Sequence, residues 1–233
     1  MNNIHNKNKA KIIGIFFIIA AISAIIGLVL YYPILDDQND LIEGAKNSNQ
    51  IILGAIFELI LVSTVVGTGI TFFPYLKQEN ETMALGYFCF RMLEAIFIMI
   101  GIISVLSLLS MSQEYSIYMT NIETYQIIAK VLKNIHKWSF ILGPNFMLGI
   151  NTFLYSYLLY RSKMITVKIS MLGIISAAMI FLASLLEIFG LIQQVSTIGF
   201  LLAFPIFIYE MTLAVWLITK GITSKEKEIL NDV

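Results

Sequence analysis

An all-α bundle of membrane-crossing helices is the fold class this sequence predicts, and three observations predict it. The 233 residues are 58% hydrophobic and only 13% charged, where soluble domains run at roughly 45–50% and 25%. Mean hydropathy is +0.82. Apolar stretches recur along nearly the whole chain, and each is long enough, at about 1.5 Å per helical residue, to cross a hydrocarbon layer about 30 Å thick. Helices follow from the nature of that solvent, because an isolated strand or loop in lipid would leave N–H and C=O groups unsatisfied at several kcal/mol each. A water-soluble globule is excluded.

Six stretches qualify, over residues 12–32, 51–76, 83–111, 138–160, 169–191 and 198–219. The first follows Lys7, Lys9 and Lys11 and carries Ala20, Ala21 and Ala24, which gives it the look of a signal peptide. Its apolar run of about 21 residues exceeds the usual cleaved segment, so it is read as a retained span. The second holds Glu58 and reaches Pro74, and the third holds Cys89, Arg91 and Glu94. A lone cysteine excludes an intrachain disulfide. The fourth opens at Trp138, whose indole suits a membrane interface, and contains Gly143, Pro144, Asn145 and Asn151. The fifth pairs Gly173 with Ala177, small residues that permit close helix contact, and carries Glu187; the sixth carries Pro205, Tyr209 and Glu210.

The connection before the fourth span, residues 112–137, predicts a short amphipathic helix of its own. Thr120 and Glu123 have capping-box spacing, and Ile128, Val131, Leu132 and Ile135 follow at helical intervals with Lys130, Lys133, Asn134 and Lys137 on other faces. It is expected on the outer membrane surface; the plainer alternative is an extension of the fourth span into water.

Lys and Arg are retained on the cytoplasmic side. With the N-terminus inside, Lys7, Lys9, Lys11, Lys77, Arg161, Lys163, Lys168, Lys220, Lys225 and Lys227 fall inside, and Lys46, Lys130, Lys133 and Lys137 outside. The imbalance predicts six transmembrane helices forming one domain with both termini cytoplasmic. The acidic first outer loop (Asp36, Asp37, Asp40, Glu43) weighs little in this rule. Formal net charge is zero, so no global field recruits nucleic acid.

Candidate chemistry rests on ionisable residues inside the apolar blocks, since a charge at a helix centre costs about 2.5 to 3.5 kcal/mol unless it pairs, hydrates or carries a proton. Counting along the spans at about 1.5 Å per residue places Arg91, Glu94, Asn151 and Glu210 in an inner polar layer. Glu58, Asn145 and Glu187 fall in an outer one. Arg91 and Glu94 share a helix face, and the guanidinium fork is expected to bridge Glu94 and Glu210, tying the third span to the sixth. One arginine cannot neutralise four carboxylates, so some must be protonated, hydrated or matched by a bound cation. Two readings stay open: a purely structural clamp between helices, and a ligand or proton-coupled site. Pro144, between Gly143 and Asn145, is the best candidate for a broken helix of the transporter kind, against the commoner ordinary kink. Tyr209 reads as packing rather than a proton partner.

Several enzyme classes fail by absence of their residues. His5 and His136, the two histidines, both lie outside the apolar blocks, so no buried pair ligates haem and no HExxH holds zinc. Cys/His and Ser/His nucleophile arrangements within the bilayer lack support, and neither GxxxxGK[ST] nor GxGxxG occurs. No enzyme, cofactor or metal centre is expected.

Several short strings, taken in order, resemble one family. They are Glu58-Leu-Ile, Phe90-Arg91-Met-Leu-Glu94, Leu148-Gly-Ile-Asn151 followed by Tyr157-Leu-Leu-Tyr160, and Pro205 with Glu210 then Ala214-Val-Trp216-Leu-Ile-Thr-Lys220-Gly221. Together they resemble the bacterial domain of unknown function 4386 family over essentially the whole chain, though not at Glu187. The resemblance implies a small multi-pass protein of the bacterial cytoplasmic membrane and carries over no reaction or ligand. The expectation for function is a small transporter or permease-like protein with a buried Glu/Arg core, taking a small-molecule or ion ligand. The alternative is a non-transporting accessory, sensor or immunity protein that acts on a membrane protein partner through helix contacts.

Overall fold

The structure, a computed structural model, describes residues 2–35, 40–119, 121–194 and 196–222, and for residues 2–7 and 40 the backbone alone. Asp36, Asp37, Thr120, Lys225 and Lys227, with the side chains of His5, Lys7 and Asp40, therefore lie outside the described residues.

All secondary structure among the described residues is helical. In chain order the elements are α1 (Asn2–Leu30), α2 (Tyr32–Leu35), α3 (Asp40–Lys46), α4 (Ser48–Leu76), α5 (Glu81–Tyr118), α6 (Ile122–Phe140), a π-helical segment (Ile141–Met147), α7 (Leu148–Ser162), α8 (Val167–Ile188) and α9 (Thr197–Thr219). Asn80 starts α5 by accepting the Met83 N–H on its side chain at 2.9 Å, and Ser196 starts α9 by accepting the Gly199 N–H at 3.1 Å. Gly190 follows α8 at φ +69°, a left-handed conformation that suits glycine at a helix end.

Five of these helices are long and apolar enough to cross a membrane: Asn8–Leu30 of α1, then α4, α5, α8 and α9. The fourth predicted stretch is distributed over the end of α6, the π segment and α7, which has only 15 residues. The path nevertheless stays helical from Ile122 to Ser162. Pro144 is the reason for the change of pitch, because a proline lacks the N–H and crowds the carbonyl four residues back. Widening the turn absorbs this, and the Leu148 N–H reaches the Gly143 carbonyl five residues back. The expected break at Pro144 is thus a π segment within a continuous helical path. The 112–137 connection is also shorter than its sequence implied, since α5 runs on for 38 residues to Tyr118 before α6 begins.

The helices close a ring. α1 packs against α4 and α9, α4 against α5, α5 against the π segment and α7, α7 against α8, and α8 against α9. α3 and α6 lie against α5. Outward faces carry large apolar residues such as Ile22, Val29, Ile103, Ile175 and Leu201. Inside are two apolar clusters, one around Ile13, Phe17, Phe72, Tyr87 and Leu213, the other around Ile34, Ile51, Ile98, Val105 and Leu108. On α4 the clusters are separated between Val65 and Phe72, and on α5 between Tyr87 and Ala95. Thr68, Arg91 and Glu94 fall in those two gaps, so the polar residues form a layer between two greasy ones.

Candidate functional site

The inner layer is built on α5. Three residues apart on one face, Arg91 and Glu94 pair at 2.9 Å between Nη1 and Oε2, and both are almost wholly buried. The Arg91 Nε donates to Thr68 Oγ1 on α4 at 3.0 Å, and the guanidinium lies over the Phe17 ring of α1 at 5.7 Å. From α7, the Asn151 amide donates to Glu94 Oε2 at 2.7 Å. One oxygen of Glu94 therefore accepts from two helices, and the layer holds α4, α5 and α7 together.

Glu210 on α9 adds a second carboxylate beside the ion pair. It lies within electrostatic reach of Arg91, which attracts it, and of Glu94, which repels it. Its Oε1 is buried and has no hydrogen-bond partner among the described residues. The expected Arg91 bridge from Glu94 to Glu210 is corrected accordingly: the guanidinium's hydrogen bonds go to Glu94 and Thr68, and Glu210 is held by charge alone. Next to it, the Tyr209 hydroxyl accepts from Ser156 Oγ at 2.7 Å while its ring stacks on Tyr155 at 5.9 Å. Gly173 on α8 permits this contact, since a Cβ there would run into the Tyr209 ring and Ser156 Oγ.

The outer layer separates into two places. Asn145 donates to Glu187 Oε2 at 2.9 Å, joining the π segment to α8, and Lys137 adds a favourable charge. Glu58 stands apart from that pair. It lines a cavity of about 20 Å³ with Tyr31, Gly101, His136, Ser139 and Pro144. Successive residues of the π segment, Pro144 and Asn145, thus serve different sites, and the single outer layer read from span depths is corrected to two.

A family model for a domain of unknown function, DUF4386, matches residues 12–221, nearly the whole chain. The chain belongs to the DUF4386 family. No curated protein and no solved structure matches it.

In this DUF4386 chain, sequence reading missed Thr68, Tyr31 and His136. Thr68 precedes Arg91 by 23 positions on another helix, and nothing local pairs them. His136 lies outside the apolar stretches of the sequence, yet it is half-buried against α5, edge-on to Tyr31 at 5.9 Å and 84°. A signal for it did exist. Ala129, Leu132, His136 and Ser139 repeat at helical spacing, and this small, mixed stripe is the one turned inward, with Ser104 Oγ donating to the Leu132 carbonyl at 2.6 Å. The apolar residues Ile128, Val131 and Ile135 are exposed instead.

Proposed function

We propose that this DUF4386 chain is a six-span carrier of the bacterial cytoplasmic membrane, both termini inside, that takes up a proton or small cation at Glu210 and exchanges a proton at Glu58. The observation that carries the reading is the excess of buried acid over buried base at one place. Arg91 is matched by Glu94, and Glu210 remains as a second carboxylate with an unpartnered oxygen beside them. A group that only locked helices would have its hydrogen-bonding atoms satisfied, because an unmet buried acceptor costs about 1 to 3 kcal/mol. Intramembrane acids facing a bundle interior are, by their cost, usually kept for ion or substrate handling.

The ring supports the six-span topology. Five columns are helices of membrane-crossing length, and the sixth is α7 with the π segment and the end of α6. In this arrangement α6 lies at the outer surface, with Ile127, Val131, Ile135 and Trp138 exposed toward lipid. The reading is of a carrier rather than an enzyme, and the bilayer is its constant partner.

Charge movement on a pH jump tests it. Purified protein reconstituted in liposomes on a solid-supported membrane should give a transient current absent from protein-free liposomes. Glu210→Gln should reduce the peak, because the variant has lost one of the two groups proposed to bind the proton. Currents equal to those of protein-free liposomes would overturn the reading.

A further inference from the structure

The cavity beside Glu58 has features the inner layer does not explain. Tyr31 is 1% exposed, and its hydroxyl has no hydrogen-bond partner among the described residues. It lines the same cavity as the Glu58 carboxyl and the His136 ring, three polar groups supplied by the α1–α2 turn, α4 and α6. Two glycines make the room. A Cβ on Gly27 of α1 would lie 2.5 Å from Glu58 Oε1, and one on Gly101 of α5 would lie 2.8 Å from Ser139 Oγ and 3.3 Å from His136 Nδ1. A volume of about 20 Å³ suits one water molecule, which needs roughly 10–15 Å³ and two to four polar partners.

The tautomer of His136 follows from its neighbour. Nδ1 faces the Gly101 carbonyl at 3.4 Å, and a carbonyl can only accept, so Nδ1 carries the hydrogen and Nε2 keeps its lone pair. Burial, opposed in part by that Gly101 contact, holds the imidazole below its ordinary value. The ring is therefore neutral near pH 7 and able to accept a proton. Besides Glu58, Tyr31 and His136, no titratable group lines the cavity among the described residues. The adjacent Lys137 side chain is exposed and acts on Glu187.

We propose that Glu58, Tyr31 and His136 form a water-bridged proton relay, in which one water seated between the Glu58 carboxyl and the Tyr31 hydroxyl passes protons to His136 and on to the face of the bundle that α6 occupies. In the outward step the Glu58 O–H bond breaks and its proton joins the water, whose own proton bonds to His136 Nε2. The imidazolium then gives that proton to bulk water. The net change is one proton moved and one carboxylate left, with no change of oxidation state. Tyr31 is a positioning residue here, donating its O–H toward the ionised carboxyl through the water. The relay rests on the reading of Glu58 as an exchangeable acid.

Infrared difference spectroscopy on the full chain in lipid tests this without any transport. The carbonyl stretch of protonated Glu58 is identified as the band lost in Glu58→Gln, and its pH midpoint and deuterium-exchange rate are recorded. Tyr31→Phe keeps the ring against His136 and removes the donor, and should raise the midpoint by about one unit, since a hydrogen bond to the charged form is lost. His136→Gln should slow exchange by roughly a hundredfold, the low end of what a positioned acid–base group supplies. Should Tyr31→Phe fail to fold, Gly27→Ala provides a second reading, because its methyl displaces the carboxyl from the cavity and should shift the same band. An unmoved midpoint together with unchanged exchange in folded variants overturns the relay, as does a spectrum in which Glu58→Gln removes no band. The expected shifts in a protein that gives no pH-jump current would uphold the relay and reject the carrier.

Discussion

Asn151 on α7 and Glu94 on α5 meet at 2.7 Å, with Arg91 on the same Glu94 oxygen at 2.9 Å. A carboxylate oxygen that accepts two such bonds, one from a cation, is held in a single position. Asn151, 57 residues later in the chain, is thereby what docks α7 onto α5 at the level of the ion pair. Glu210 shares the field of this group but none of its hydrogen bonds.

Removing the cation should be costly. Arg91→Gln leaves the buried Glu94, and Glu210 beside it, without a counter-charge, and one-sided removal of a buried pair costs about 3–5 kcal/mol. Asn151→Ala removes one donor and should cost about 1–3 kcal/mol. Thermal unfolding of the purified protein, followed by tryptophan fluorescence, should rank them in that order, both below wild type.

Glu210→Gln should behave in the opposite way. Its Oε1 has no partner to lose, and repulsion from Glu94 is relieved. The apparent Tm should stay equal to wild type or rise, while the pH-jump current falls. A drop of several degrees would instead make Glu210 part of the clamp.

Gly173→Ala tests the close approach of α8. The added methyl collides with the Tyr209 ring and Ser156 Oγ, and neither can retreat easily because Tyr209 is fully buried. Overpacking of this kind costs typically about 1–3 kcal/mol, read as a lower Tm. Gly86→Ala, where the nearest atom is Leu154 Cδ1 at 3.4 Å, should be near neutral.

His136 should make stability depend on pH in a definite sense. Burial holds the folded-state imidazole below the ordinary 6.5, so between that lower value and 6.5 the unfolded chain binds more protons. Stability contributed by the neutral ring is complete above about pH 6.5 and is lost as pH falls below it. The difference between wild type and His136→Gln, measured as Tm from pH 5 to 8, should therefore shrink toward acid. A difference that stays flat would place His136 in water.

Much of the candidate site was legible in the sequence because a charged residue in an apolar block is conspicuous by composition. Arg91 and Glu94 could be paired from helical spacing alone, and Asn145, Asn151 and Glu187 could be assigned to depths by counting residues. Counting depth leaves azimuth undetermined. It grouped Glu58 with Asn145 and Glu187, although Glu58 opens on the Tyr31 and His136 side, and it sent Arg91 to Glu210 rather than to Thr68. The extent of α5 and the course of the 112–137 segment were obscured for another reason. Hydropathy marks where a helix leaves the apolar layer, not where its hydrogen-bonded ladder stops.

The sequence by itself determined that this protein is a bundle of apolar helices, where five of the membrane-length ones run, and which few polar residues stand out among them. Those follow from local physics, namely the cost of unsatisfied backbone and bare charge in hydrocarbon. Only the tertiary structure decided which polar residues meet. Side-chain partnership depends on the rotation of each helix about its axis and on the order of helices around the ring, and both are set by close packing at residues such as Gly27, Gly101 and Gly173. Those contacts join positions far apart in the chain, and no local spacing encodes them.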